Sequence, residues 1–307
     1  MMAAMPAASP TAATSAADWP AIAAACAADA AARLPFLVDD GGVARPAGSV
    51  ARRHLPALAR WRDALAIDDT GVRLRLPADA RDAFFAEANR QLHAEGLVVG
   101  WRDETYPVHA LDGDGALLAR FERAASRFWG TLTFGAHCNG YVADAAGRPT
   151  HLWIARRAYT KPTDPGLLDN LVGGGVPHGQ TPAEAVVREG WEEAGLRPAQ
   201  MAGLQPGRRF RVARDIPEGF QLEQVSAYDL ALAPGLQPAN QDGEVHSLHR
   251  LPVAEALARA AAGEMTVDAS LVTLDFALRH RLLPDAVQAA LDARMAGLWQ
   301  GWAALHR

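Results

Sequence analysis

The chain has 307 residues, half of them apolar, 21% charged and 7% aromatic, with a mean hydropathy of -0.06. This is the composition of a folded globular protein and excludes disorder over most of the length. A formal charge of -5 and a pI near 6.1 leave no general cationic footprint, which excludes nucleic acid as an expected partner.

Residues 1–18, rich in Ala, Ser, Thr and Pro and without Lys or Arg, read as a disordered tail rather than a cleaved leader. Cys26 and Cys138 have no CxxC or Cys/His spacing, so neither a disulfide scaffold nor a zinc site is expected, and a reducing, cytoplasmic location fits. No stretch approaches the ~18 apolar residues of a membrane span, so no membrane is expected either. The Ala-dense stretch 19–34 predicts a short helix stopped by Pro35. Phe36, Leu37 and Val38 follow, then a turn over 39–42 and a helical pattern over 49–65 with Leu55, Leu58 and Trp61 on one side. Val72, Leu74 and Leu76 alternate as in a strand, and 78–95 reads as a helix carrying Phe84, Phe85, Ala88 and Leu92. Strands over 136–142 and 151–156 flank a turn at 144–147 and predict a hairpin. A glycine-rich loop, Gly173 to Gly175, precedes one strongly marked helix. Short β-like runs over 210–212 and 225–230 and helices over 254–262 and 285–305 complete the chain. In the last helix Val287, Leu291, Leu298 and Trp302 could pack on the main body or on another subunit, which leaves a homodimer open. The expected division is an accessory domain over 19–130, a second domain over 131–283 and a C-terminal helix over 284–307.

The chemistry lies in residues 173–196. Thr181 is a good N-cap, Pro182 suits the first helical position and Glu184 completes a capping box. Gly195 is a natural left-handed terminator, so the helix spans about fourteen residues. Glu189, Glu192 and Glu193 then fall at i, i+3 and i+4 on one face, where like charges repel. For the charges alone a solvated acidic face explains this. The glycines add a backbone that a metal or phosphate can approach closely, and a hard cation such as Mg2+ prefers carboxylate oxygens. Together they suggest a Mg2+–diphosphate cradle.

This segment resembles the Nudix box, G-x5-E-x7-R-E-U-x-E-E-x-G-U with U apolar, at Gly174, Arg188, Glu189, Glu192, Glu193, Gly195 and Leu196. Gln180 stands where the first Glu is expected, and Gly190 stands at an apolar position. The resemblance implies an α/β fold, a Nudix α/β/α sandwich with a mixed sheet, preceded by a smaller α+β accessory domain. It implies Mg2+, with Mn2+ as a substitute, held by Glu189, Glu192 and Glu193 and a carbonyl at Gly173 or Gly174. Arg188 should orient the glutamates, and Gln180 keeps hydrogen bonding while removing a charge. Glu192 or Glu193 could serve as catalytic base, with Glu244 as a further candidate against a plain turn role. The run Lys161 to Asn170, together with residues 134–141, 228–230 and 240–245, looks like the thiamine pyrophosphokinase-related Nudix branch. That branch carries an N-terminal domain of unassigned function (DUF4743-like), and in it the first box Glu is commonly replaced.

Around this centre, Arg156, Arg157 and Lys161 could grip phosphates beside Gly174, or be solvated strand ends. His137 and Asn139 share a strand face and could reach the ligand, or His137 could be a satisfied core histidine. Trp101 and Tyr106 could stack on a heteroaromatic ring or pack between domains, and His178 faces the same choice. The implied activity is attack of water on a small-molecule diphosphate, giving a monophosphate, with thiamine diphosphate or its oxidised forms as substrate. Two other readings stand beside it: a housecleaning hydrolase of oxidised nucleoside di- or triphosphates, and a non-catalytic diphosphate sensor, encouraged by Gln180.

Overall fold

A computed structural model describes residues 19–299; the tail expected over 1–18 and Trp302 lie outside them. The accessory region opens with one turn of helix, α1 (Pro20–Ala24), and not with a helix over 19–34. Alanine propensity alone does not hold a helix without an apolar face to bury. The chain instead extends, and the carbonyls of Ala25 and Ala27 accept bonds from the amides of Ala213 and Asp215 at 2.7 and 2.8 Å. β1 (Arg33–Asp40) turns at Gly41 and Gly42, both at positive φ, into β2 (Val43–Ala51). The helix expected over 49–65 is therefore corrected. Ser49, Val50 and Ala51 pair with β1, and only the single turn α2 (Leu55–Leu58) is α-helical. Cross-strand pairing outweighs the helical period there.

β3 (Leu65–Asp68) and β4 (Gly71–Leu74) complete a sheet of order β2-β1-β4-β3. α3 (Ala78–Ala94), close to its predicted span, buries Phe85, Ala88 and Leu92. After the two-stranded β5 (Thr105–His109) and β6 (Leu117–Glu122), the short α4 (Ser126–Trp129) ends on left-handed Gly130. This region has its own core, centred on Phe36, Phe85 and Trp129.

The second region contains β7 (Leu132–Ala143), β8 (Pro149–Arg157), β9 (Leu168–Asp169) and β10 (Val172–Gly175), then α5 (Pro182–Ala194). β11 (Gln205–Ile216), β12 (Gly219–Ala231) and β13 (Val245–Pro252) lead to α6 (Val253–Ala261), α7 (Val267–Arg279) and α8 (Asp285–Trp299). The seven strands form one mixed sheet of order β11-β12-β7-β8-β13, with β10 on β7 and β9 on β8, and β7 parallel to β12. One face packs on α5 and the other on α6, α7 and α8, so the fold is an α/β/α sandwich. Leu291, Met295 and Leu298 of α8 are buried in the second of these cores, which seats this helix on the main body. Trp19, Ile22 and Ala25 are buried there too, so the start of the accessory region is anchored in its neighbour. Among the described residues no helix is long and apolar enough to cross a membrane.

Candidate active site

The three glycines do not form the predicted loop; they are strand β10, paired with β7 in the register Gly173 to His137, Gly174 to Ala136 and Gly175 to Gly135. Close approach, not turning, requires them. A Cβ on Gly174 would lie 2.3 Å from the Glu189 carboxyl carbon, and one on Gly175 would lie 1.9 Å from the Tyr106 hydroxyl.

α5 begins with the expected capping box between Thr181 and Glu184 and ends at Gly195, with φ +64°. Its glutamates take three different positions. Glu193 is 5% exposed and accepts the Gly173 amide at 2.8 Å; burial, then the charge of Glu189, pushes its carboxyl up to about 8. The Glu189 side chain is 12% exposed, and burial, helped by Glu192 and opposed by Arg188, raises it to about 7. Glu192 is the outlying member, 37% exposed and paired with Arg188 at 2.9 Å. Among the described residues no group of three His, Cys, Asp or Glu side chains is gathered in the metal-free arrangement. A hard divalent cation nevertheless fits the donor chemistry of Glu189 and Glu193. Both offer oxygen, and in both burial makes ionisation harder, an effect that a nearby positive charge would offset.

Arg188 sits where the box resemblance puts it, reaching Glu189 and Glu192 at 2.9 Å each and donating from Nε to Gln180 Oε1 at 3.4 Å. Gln180 thus keeps contact with the box arginine despite its lost charge. Gly190 is explained by Met201, whose sulfur would lie 2.3 Å from an added Cβ and fills the place of the missing apolar side chain.

In front of Glu189 lies a cavity of about 110 Å³, also lined by His137, Arg157, Lys161, Asp169 and Glu244, and by Arg102, Arg123 and Arg127 of the accessory region. Arg157 is a strut: it donates to Asp169 at 2.9 Å and to the Asp164 and Thr163 carbonyls. Its neighbour Arg156 turns away to the Gly166 carbonyl at 2.7 Å and does not line the cavity, which corrects its assignment as a phosphate ligand. Burial opposes charge on both His137 and Asp169, but Asp169, Asp268 and Glu223 hold His137 up at about 9, and His137 and Arg157 hold Asp169 down at about 2. His137 is thus a cation facing the cavity, donating from Nδ1 to Asn170 Oδ1 at 3.0 Å behind it. Asp169 belongs to the run Lys161 to Asn170 singled out in the sequence, whereas Glu223, Asp268, Arg123 and Arg127 carried no local sequence signal; distant strands and helices bring them here.

Trp101 is not at this cavity. It donates to Asp103 at 2.8 Å and packs on the accessory core, correcting the stacking role proposed for it. Tyr106 does reach the glycine strand, but it is 1% exposed and offers its hydroxyl, not its ring face. Lys161 and Arg102 both donate to Glu244. Burial works against that carboxylate, yet the two cations hold it down at about 2. It is a tie between the two regions. Because its folded pKa lies below the ordinary value, its contribution is present at neutral pH and lost as pH falls from about 4.5 to about 2. Glu244→Gln is therefore expected to melt below wild type at neutral pH, with the two melting temperatures converging by pH 2; a gap that persists there would exclude this origin.

Comparison with known proteins agrees with this architecture. The NUDIX domain matches residues 137–270, and a domain of unknown function, DUF4743, matches residues 21–133. Nudix hydrolase 20, chloroplastic, of Arabidopsis thaliana is 31% identical over 275 residues, covering 84% of this chain and 71% of that protein. The chain belongs to the Nudix hydrolase family. Nudix hydrolase 24, chloroplastic, of the same plant is 32% identical over 270 residues with the same shares. The crystal structure of DR0079 from Deinococcus radiodurans is 24% identical, covers 56% of this chain and 98% of its own, and superposes with a TM-score of 0.43. As a Nudix hydrolase the chain is an enzyme, with α5 as its Nudix helix.

Proposed function

We propose that this Nudix hydrolase is a Mg2+-dependent pyrophosphohydrolase of the thiamine pyrophosphokinase-related branch, cleaving thiamine diphosphate or its oxidised derivatives to the monophosphate and orthophosphate. The observation that carries this reading is the pair Glu189 and Glu193, buried against a glycine strand beside a cavity that both regions line with cations and carboxylates. The branch run supports the substrate, since Lys161, Thr163, Asp164 and Asp169 line the same cavity.

In the reaction a water oxygen bonds to phosphorus, the bridging P–O bond breaks, and one proton leaves. Bound at the glutamates, Mg2+ would supply charge neutralisation on the phosphoryl oxygens and make water more acidic. Arg188 holds Glu189 in place. His137 and Arg157 line the cavity beside Glu189 and place positive charge where phosphate oxygens would gather.

The test is a panel of diphosphates with purified protein and Mg2+. Thiamine diphosphate and its oxidised forms should be cleaved fastest, and a chelator should abolish release. A faster rate on oxidised nucleoside triphosphates would move the substrate to that class, and tight binding without release would make the protein a sensor.

A further inference from the structure

Beside the carboxylate cavity lies a smaller hollow of about 90 Å³ between the accessory region and β12. Arg102, Arg123, Arg127 and Glu223 line both, so the two are neighbours that share these side chains. Two hydroxyls lining this hollow, Tyr106 Oη and Thr131 Oγ1, have no hydrogen-bond partner, although each residue is only 1% exposed. Buried hydroxyls are normally satisfied, and two left open at one place point to a missing acceptor. Burial also holds the Tyr106 phenol above its ordinary range, so it keeps its proton to donate. Around them stand three arginines against one carboxylate, Glu223, among the described lining residues. Arg127 is the least committed of the three, its carboxylate partner Glu218 lying 3.8 Å away. At about 90 Å³ the hollow has room for a tetrahedral anion.

We infer that this hollow is an anion subsite in which Tyr106, Thr131, Arg123 and Arg127 seat the terminal phosphate of the substrate. The accessory region thereby selects diphosphates with a free terminal phosphate over those esterified at both ends. The choice of substrate rests on the pyrophosphohydrolase reading, whereas the anion site stands on its own residues.

The experiment is calorimetric titration of inorganic phosphate into the full chain, with chelator present to remove metal. Wild type should bind, and Tyr106→Phe and Arg127→Gln should each weaken binding by about tenfold with little change in melting temperature. Thr131→Val replaces either variant that fails to fold. With Mg2+, the same variants should raise KM for thiamine diphosphate by a similar factor and reduce the preference for it over ADP-ribose. Phosphate binding that is absent in wild type, or unchanged in the variants, would overturn the subsite even if hydrolysis is seen. Binding that the variants weaken, in a protein that hydrolyses nothing on the panel, would leave the subsite standing and remove the enzymatic reading.

Discussion

Glu189→Gln is expected to lower kcat on thiamine diphosphate with Mg2+ by about two to three orders of magnitude, with a melting temperature no lower than wild type. The amide keeps the shape of the side chain against Gly174 and removes both the charge that attracts a cation and the capacity to accept a proton. Stability should not fall, because this carboxylate is a folding liability: burial and Glu192 raise it to about 7, and its charge in turn raises Glu193. Loss of function with retained or increased stability is the mark of a group kept for chemistry. Glu192→Gln should cost far less, about tenfold or below, since that side chain is 37% exposed and already paired with Arg188. Turnover at several Mg2+ concentrations together with melting curves checks both. Equal losses at 189 and 192 would show that all three carboxylates converge on the ion and would overturn this ranking.

The parts of this site that are legible in the sequence are those with local causes. Thr181, Pro182, Glu184 and Gly195 bound the Nudix helix because caps act within one turn of backbone. What faces that helix is not local. Three successive glycines predict a loop because they have little strand propensity, yet they form β10, with Glu189 against one and Tyr106 against another. Arg156 and Arg157 are equivalent as neighbours on a strand; only the pairing of β8 decides that Arg157 faces the cavity. Glu244 stands at the site as expected, but its role is set by Arg102, 142 positions away. Helix α7 escapes prediction for another reason: every residue from Ala269 to Leu278 is buried, so no polar face marks its period.

Gly175→Ala is expected to separate the accessory region from the Nudix helix, lowering stability by about 1–3 kcal/mol, seen as a drop of several degrees in melting temperature, together with a large loss of activity. No φ constraint is involved, so the effect is purely one of space. The new methyl carbon would sit 1.9 Å from Tyr106 Oη and 2.8 Å from Arg123 Cζ. Neither can retreat freely: Tyr106 is fully buried, and the Arg123 guanidinium lies over its ring at 5.5 Å and is held by Glu104 at 3.1 Å. The strain must instead be taken up by β5, which is tied to the box segment through the His178 amide and the Thr105 carbonyl at 3.2 Å. Gly203→Ala is the control, since nothing lies within 4 Å of its added carbon, and it should melt like wild type. Adding Tyr106→Phe to Gly175→Ala removes the closest clashing atom and leaves Arg123, so melting temperature should recover in part. A double mutant whose losses simply add would mean that the tyrosine hydroxyl and the glycine strand do not meet, and the accessory region would then have no direct contact with β10 at this point.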